Sequence, residues 1–321
     1  MPKTPEDLRK SREDRKTNLA IFGGTMPESI MLHKKHQKAM DLTIVDERAY
    51  RDGAKWVEKG REAWRAKAFG ASGKMQRGKG GTLSRFPQNV GRTLLLFYTK
   101  PGDTVFDPFA GHNSRMEFVY RNGRSYIGCD ISAEFMEMNR ELAKILIERN
   151  EKAMIPLENV FITLHETDSR NVPVPSNSCD FTITSPPYWD IEYYGDEEGQ
   201  LGLGKSYEEF LEGLYDVMWE NYNVLKPGSF CVWCINDFRK NGKFYSYHED
   251  TAAGLRKAGF VQHDIAITDF GGSIRQNFMN QAIEQKILPK RHEYALVFRK
   301  PLPLQHKKDL IARARMPQER S

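Results

Sequence analysis

Residues 184–189 form the stretch Thr184-Ser185-Pro186-Pro187-Tyr188-Trp189, which directly follows a short apolar run at 181–183. That run predicts a buried strand. Two consecutive prolines cannot continue the strand, because each lacks an N–H and fixes φ at about −65°. The chain must therefore leave the sheet in a stiff extended turn. At the carboxyl end of a parallel strand, such a turn lies where open α/β sheets bind ligands.

The groups in this turn suit a flat molecule that carries an amino group. Ser185 and the Pro186 carbonyl can accept hydrogen bonds, and Tyr188 or Trp189 can stack on a planar ring. A nucleobase has both features. A Pro-Pro strand terminator with two aromatic residues packed into the core is the alternative, and the six residues alone do not decide between the two.

Composition indicates a globular protein with one large core. The chain has 321 residues, of which 39% are hydrophobic and 28% charged. No apolar run is long enough to span a bilayer, and the first residues do not resemble a signal peptide. We therefore expect a cytoplasmic protein without a membrane partner.

Four cysteines, Cys129, Cys179, Cys231 and Cys234, raise the question of a metal site. The last two have the spacing of a metal knuckle, but no second pair accompanies them. They lie in a predicted strand, where an offset of three places them on opposite faces. We expect four buried thiols in a reducing compartment and no metal.

From residue 83 onward, predicted strands alternate with predicted helices. The strands cover 104–107, 125–130, 160–164, 181–183, 230–235, 260–267 and 293–298, and the helices cover 90–98, 111–121, 133–149, 207–221 and 250–258. This alternation predicts an α/β fold with a parallel, doubly wound sheet.

Basic segments flank this region. The net charge is +5, and residues 1–82 form a predicted extension, basic and partly flexible, with a Gly-rich loop at 70–81. Lys74, Arg77 and Lys79 in that loop could follow the phosphates of a nucleic acid, although a plain linker is an equal alternative. Residues 301–321 form a basic tail.

Three acidic residues, Asp107, Asp130 and Asp168, stand at or just past the ends of successive strands, and so line one sheet edge beside Ser185. The first is followed by a tight turn at 108–111. A pyrophosphate fits poorly, because the G-x-G-x-x-G pattern is incomplete and the carboxylates repel phosphate. A cationic adenosine derivative fits better: Asp107 can face a positive methionyl end, Asp130 the ribose and Asp168 the adenine amino group. S-adenosylmethionine has that shape and charge.

Together these motifs resemble a known family, the S-adenosylmethionine-dependent DNA amino-methyltransferases that modify cytosine-N4 or adenine-N6. The resemblance spans residues 83–298 and is carried by Phe86-Pro87, Pro101-Gly102-Asp103, Asp107-Pro108-Phe109-Ala110-Gly111, Asp130, Asp168 and Ser185-Pro186-Pro187-Tyr188.

The resemblance implies a Rossmann-like, seven-stranded class I methyltransferase sheet in a domain at 83–300. It also implies cofactor binding at Phe86, Asp107, Pro108, Phe109, Ala110, Gly111, Asp130, Ile131, Asp168 and Ser169, and catalysis at Ser185, Pro186, Pro187 and Tyr188. Tyr188 and Trp189 would stack on the target base. The serine followed by Pro-Pro-Tyr is more similar to the cytosine-N4 members than to most adenine enzymes.

Two features depart from the family pattern. The family usually has G-x-G in the turn after the first strand, where this chain has Gly111-His112-Asn113. Asparagine replaces the second glycine, and it tolerates left-handed backbone conformations better than most residues. No large insertion is present for target recognition, so recognition must come from 1–82, 190–205 or 269–291. In the last of these segments Arg275 is among the side chains that could read base edges.

Other functions stay open at this point. They are adenine-N6 methylation, methylation of RNA or of a protein glutamine, and a catalytically silent DNA-binding module. Methylation at cytosine C5 is excluded, because it requires a cysteine nucleophile that this family carries in a Pro-Cys pair, and the chain has none. DNA is the expected partner. A restriction-modification role rests on family analogy, and the sequence leaves open whether the chain forms a homodimer.

Overall fold

A single twisted sheet organises the part of the chain that the computed structural model describes: residues 29–32, 86–111, 115–192, 194–202, 204–270, 279–288 and 290–303. The strands are β1 Ile30–Leu32, β2 Thr104–Asp107, β3 Ser125–Asp130, β4 Ile162–Glu166, β5 Cys179–Thr184, β6 Leu225–Ile235, β7 Phe238–Lys240, β8 Lys243–Tyr245, β9 Val261–Asp269 and β10 His292–Arg299. The helices are α1 Gln88–Tyr98, α2 Met116–Arg121, α3 Ala133–Glu151, α4 Tyr207–Val224, α5 Tyr247–Lys257 and α6 Met279–Glu284.

Eight strands form the sheet, in the order β1-β9-β10-β6-β5-β2-β3-β4. Strands β2 to β6 run parallel, and β10 lies antiparallel between β6 and β9. All seven predicted strands are present, so the predicted α/β sheet is confirmed. β1 was not predicted: it comes from the N-terminal extension and pairs with β9 in parallel.

The sheet is covered on both faces, as its parallel strands require. Two clusters of buried apolar side chains form the core, one of them containing Cys231 and Trp233 and the other Val232 and Cys234. Cys231 and Cys234 therefore lie on opposite faces, as predicted, and all four cysteines are buried and free. None of the described helices is long and apolar enough to cross a membrane.

The strand order reverses between β2 and β5. From β2 the chain proceeds to β3 and β4 on one side, whereas β5 leads to β6 on the other. The carboxyl ends of the two strands are joined by a hydrogen bond of 2.8 Å from Thr184 Oγ1 to Asp107 Oδ1. Such a reversal opens a crevice at the carboxyl edge, the usual ligand position in this type of sheet.

Candidate active site

Asp107 closes β2 and is fully buried. Its carboxylate accepts hydrogen bonds from Arg115 Nε at 2.6 Å, Tyr126 OH at 2.8 Å, Thr184 Oγ1 at 2.8 Å and the Phe109 N–H at 3.2 Å. With both oxygens occupied, this carboxylate lies behind the cleft and not on its wall. Although predicted to bind the cofactor, Asp107 does not line the cleft. It fixes the turn that follows β2 instead.

The turn at 108–111 is held by the end of β3. Asp130 Oδ2 accepts the Gly111 N–H at 2.8 Å, and Oδ1 accepts the Ser132 N–H at 2.9 Å. Gly111 adopts a φ of 54°, a left-handed conformation that favours glycine. Burial raises the pKa of Asp130 to about 6, although the two N–H groups act in the opposite direction. Each carboxylate oxygen keeps a second lone pair for a ligand hydroxyl.

Asp168 and Ser169 follow β4 on the same edge. The Ser169 hydroxyl donates to the Pro108 carbonyl at 2.5 Å, which ties this segment to the turn after β2. Asp168 forms an ion pair with Arg170, with Nη2 and Oδ2 2.5 Å apart. Burial would raise the pKa of Asp168, but the hydrogen bonds from Arg170 hold it below its ordinary value.

The corner at 185–188 follows β5 and is braced by tyrosines. Tyr247 OH donates to the Pro187 carbonyl at 2.9 Å, and the Tyr188 N–H donates to Tyr194 OH at 3.2 Å. Within the described residues, neither the Ser185 hydroxyl nor the Pro186 carbonyl has a hydrogen-bond partner. Two acceptors are therefore left available on a rigid corner.

Trp189 lies on the far side of this corner. Its side chain is buried, and its Nε1 donates to the Lys205 carbonyl at 2.9 Å. The ring packs against Tyr207 and Tyr245, with centroids 5.4 Å apart in both cases. Trp189 does not line the cleft, contrary to the prediction that it stacks on a target base. Tyr188 does line it.

One cleft contains the two halves of the predicted site. Its walls include Phe86, Pro108, Phe109, Ala110, Gly111, Asp130, Ile131, Asp168, Ser169, Ser185, Pro186, Pro187 and Tyr188. They also include residues that the sequence analysis missed, among them Arg115, Phe135, Glu192, Tyr194, Gln200, Phe270 and Glu293. All residues predicted to bind the cofactor, to catalyse transfer or to stack on the base lie in the described part of the chain. Among them, only Asp107 and Trp189 do not line the cleft.

Two of the missed residues are half-buried acids near the corner. Glu293 Oε1 accepts from Tyr188 OH at 3.4 Å, and burial raises the pKa of Glu293 to about 7. Glu192 Oε2 accepts from Tyr194 OH at 2.7 Å, and burial raises its pKa as well. The signal for Glu293 was its position: β10 is antiparallel, so its first residues lie at the edge where the parallel strands end.

Several predicted residues fall outside the described part of the chain. They are the DNA-contact candidates Lys74, Arg77, Lys79 and Arg275, together with His112 and Asn113 of the cofactor turn. Among the described residues, no group of three or more His, Cys, Asp or Glu side chains could hold a metal ion.

Comparisons with known proteins found similarity to methyltransferases. A family model described as DNA methylase matches residues 12–141 and 179–318. The Type II methyltransferase M.Cfr9I of Citrobacter freundii is 42% identical over 72 residues, which make up 22% of this chain and 24% of that protein. The DNA adenine methyltransferase YhdJ of Escherichia coli (strain K12) is 35% identical over 52 residues, 16% of this chain and 18% of that protein. A SAM-dependent methyltransferase structure from Methanosarcina mazei is similar with a TM-score of 0.44 and 12% identity, over 69% of this chain and 100% of that chain.

The match to the family model carries the assignment. The aligned segments span about a quarter or less of the two curated relatives. The family model, in contrast, covers most of the chain and includes the turn at 108–111, Asp130 and the corner at 185–188. The chain therefore belongs to the DNA methylase family, the amino-methyltransferases that act on N4 or N6 of DNA bases.

Proposed function

We propose that this chain transfers a methyl group from S-adenosylmethionine to an exocyclic amine of a DNA base, with cytosine-N4 as the favoured target. One observation carries the proposal. The Gly111 turn with Asp130 and the corner with the free Ser185 and Pro186 acceptors line the same cleft. A methyl donor and an amine could therefore meet there.

S-adenosylmethionine is the methyl donor that membership of the family implies. The residues fit it. A left-handed glycine lets the backbone approach a ligand closely, and Asp130 has lone pairs free for two ribose hydroxyls. Phe109 and Ile131 supply apolar wall beside them. When bound, this group supplies the electrophilic methyl.

The chain's own residues act by positioning the amine. Its lone pair is delocalised into the aromatic ring. If Ser185 Oγ and the Pro186 carbonyl each accept one N–H, the lone pair is turned toward the donor. Tyr247 and Tyr194 brace the corner, so little rearrangement is needed when the base arrives. The base must leave the duplex to enter, and stacking on Tyr188 offsets part of that cost.

Cytosine-N4 is favoured because the corner begins with serine, as in the cytosine-N4 members that the sequence resembles. Adenine-N6 is the second candidate, and the partial similarity to YhdJ, named as a DNA adenine methyltransferase, supports it. Both bases present an amine beside a ring nitrogen, so the acceptors of the corner suit either one.

Transfer of tritiated methyl groups to DNA, followed by nucleoside analysis, tests the proposal. We expect label in N4-methylcytosine. Label in N6-methyladenine would select the second candidate. Label in RNA or protein, with none in DNA, would contradict the proposal, and so would calorimetry that detects no binding of S-adenosylmethionine.

A further inference from the structure

A β-hairpin outside the main sheet stands beside the corner at 185–188. Strands β7 and β8 pair antiparallel, with Phe238 opposite Tyr245, Arg239 opposite Phe244 and Lys240 opposite Lys243. The turn consists of Asn241 and Gly242, with φ values of 49° and 78°. Two consecutive positive φ values are the signature of a tight two-residue hairpin turn. The hairpin follows β6, so it rises from the edge of the sheet where the cleft opens.

One face of the hairpin is fastened to the corner. The Phe238 ring lies 6.5 Å from the Tyr188 ring, and Tyr245 packs 5.4 Å from Trp189. Lys240 Nζ lies 3.9 Å from the centre of the Trp189 ring and forms an ion pair with Asp190. The hairpin is therefore held in a fixed position relative to the residues that would receive the base.

The opposite face is basic and aromatic, and it points to solvent. Phe244 is 42% exposed although it is a large apolar side chain. Arg239 and Lys290 approach its ring, with the cationic centres 5.1 Å and 4.8 Å from the centroid. Lys243 pairs with Lys240 and so belongs to the other face, where its Nζ lies 4.8 Å from the centre of the Tyr245 ring, but it is exposed at the tip of the hairpin.

The arrangement of charge indicates an anionic partner. Two like charges directly opposite each other destabilise a strand pair. Lys240 has Asp190 as a counter-ion, but in the described part of the chain neither Arg239 nor Lys243 has an acidic partner. Exposed cations beside an exposed aromatic ring suit single-stranded or distorted nucleic acid: phosphates bind the cations, and a base stacks on the ring.

We propose that the outer face of the β7–β8 hairpin, together with Lys243 at its tip, binds the DNA strand next to the target base. Arg239 and Lys243 bind its phosphates, and Phe244 stacks on a neighbouring base. This inference rests on the proposed function and adds a binding surface to it.

Binding of a labelled DNA duplex, followed by anisotropy over a range of salt concentrations, tests the inference. For Arg239→Ala/Lys243→Ala we expect the slope of log K against log salt to fall by about 2, with affinity at low salt at least about tenfold weaker. For Phe244→Ala we expect an affinity at least about fivefold weaker and the slope unchanged. Binding of S-adenosylmethionine, measured by calorimetry, should be unchanged in both variants.

Two further variants are the controls. Lys144→Ala/Lys152→Ala removes two exposed charges on or beside α3. Because α3 packs on β3, β4 and α2, away from the hairpin, this variant should leave the salt slope unchanged. Arg239→Lys/Lys243→Arg keeps both charges and should keep the slope. Thermal unfolding checks that every variant is folded.

The outcomes separate the two proposals. Wild-type slope in Arg239→Ala/Lys243→Ala, or an equal loss in the α3 control, overturns the hairpin surface and leaves the proposed function standing. Unchanged affinity in Phe244→Ala overturns the stacking role. If the wild type binds S-adenosylmethionine but binds structured RNA and not DNA, both proposals are wrong.

Discussion

One wall of the cleft carries the Gly111 turn and Asp130, and the other carries the corner at 185–188. Substitutions on the first wall should mainly change cofactor affinity, and those on the second should mainly change turnover. Ser185→Ala removes one of the two proposed acceptors for the amine and leaves the proposed donor wall unchanged. We expect turnover about tenfold slower and nearly unchanged binding of S-adenosylmethionine. Asp130→Ala removes the proposed acceptor for the ribose and the partner of the Gly111 N–H. We expect cofactor affinity to fall by about a hundredfold, since hydrogen bonds to a charged group are involved. Single-turnover kinetics and calorimetry measure the two quantities.

Ser185→Thr is the matched control for the first wall, because it keeps the hydroxyl and should retain most of the turnover. If Ser185→Ala and Asp130→Ala reduced turnover and cofactor affinity in equal proportion, the division of the cleft into a donor wall and an acceptor wall would be wrong.

Glu293 should make the stability of the protein depend on pH. Burial raises its pKa from 4.5 to about 7, against the smaller opposing effects of Tyr188 and Arg115. The folded state therefore holds this proton more tightly than the unfolded chain. Its contribution to stability is fully present below pH 4.5 and is lost as pH rises through about 7. The loss amounts to about 3 kcal/mol.

Glu293→Gln cannot ionise and should lack this loss. Urea unfolding of both proteins from pH 4 to pH 8 measures the difference. We expect the variant to gain stability relative to the wild type as pH rises across that window. A constant difference would show that the carboxyl group titrates like one in water.

Single residues also show what the sequence could not predict. The sequence gives the same pattern for three acids at or just past strand ends: Asp107, Asp130 and Asp168. In the structure, however, Asp107 is buried against Arg115, whereas Asp130 lines the cleft. Arg115 lies close in sequence but gave no signal of its own. Which carboxylate faces a ligand depends on tertiary contacts that a strand-end pattern does not contain. Trp189 was misassigned for the same reason.

At the scale of elements, the prediction succeeded where the sequence bounds a strand sharply. β2 and β3 have the predicted limits, because turn residues flank short apolar runs. β6 begins at Leu225, five residues before the predicted 230, because the strand continues through Pro227-Gly228. The β7–β8 hairpin was missed even though Asn241-Gly242 is a strong hairpin signal.

Helix α4 offers a test of local sequence signals. Ser206 Oγ accepts the Glu209 N–H at 3.2 Å, and Glu209 Oε2 accepts the Ser206 N–H at 2.7 Å, which together form a capping box. Ser206→Ala should lower the free energy of unfolding by about 1 kcal/mol. Ser206→Thr keeps the cap and should cost much less. Urea unfolding measures both, and equal losses would mean that the cap contributes nothing.

At the scale of the whole molecule, the site exists because the fold brings distant segments to one edge. Glu293 reaches that edge from β10 and Ser185 from β5, and their separation in sequence gives no sign of proximity. The doubly wound class of the sheet could be predicted, since strands alternate with helices along the chain, but the full strand order could not. The buried network that joins β2, β3 and β5 through Asp107, Tyr126 and Thr184 could not, because it depends on side-chain register between strands.

That network couples stability to the site, which gives a last prediction. Asp107→Asn keeps the shape of the side chain but leaves the buried Arg115 cation without its counter-ion. Removing one partner of a buried pair costs about 3 to 5 kcal/mol, and urea unfolding should show a loss of that size. Asp107→Asn/Arg115→Met removes both charges, and its amide oxygen can still accept from Tyr126 or Thr184, so it should recover part of the lost stability. Arg115 Nη2 also donates to the Phe109 carbonyl in the turn at 108–111, which we propose binds the cofactor, so the double variant should still bind S-adenosylmethionine poorly. Recovery of both properties together would show that the ion pair serves stability alone, and that Arg115 has no part in shaping the turn.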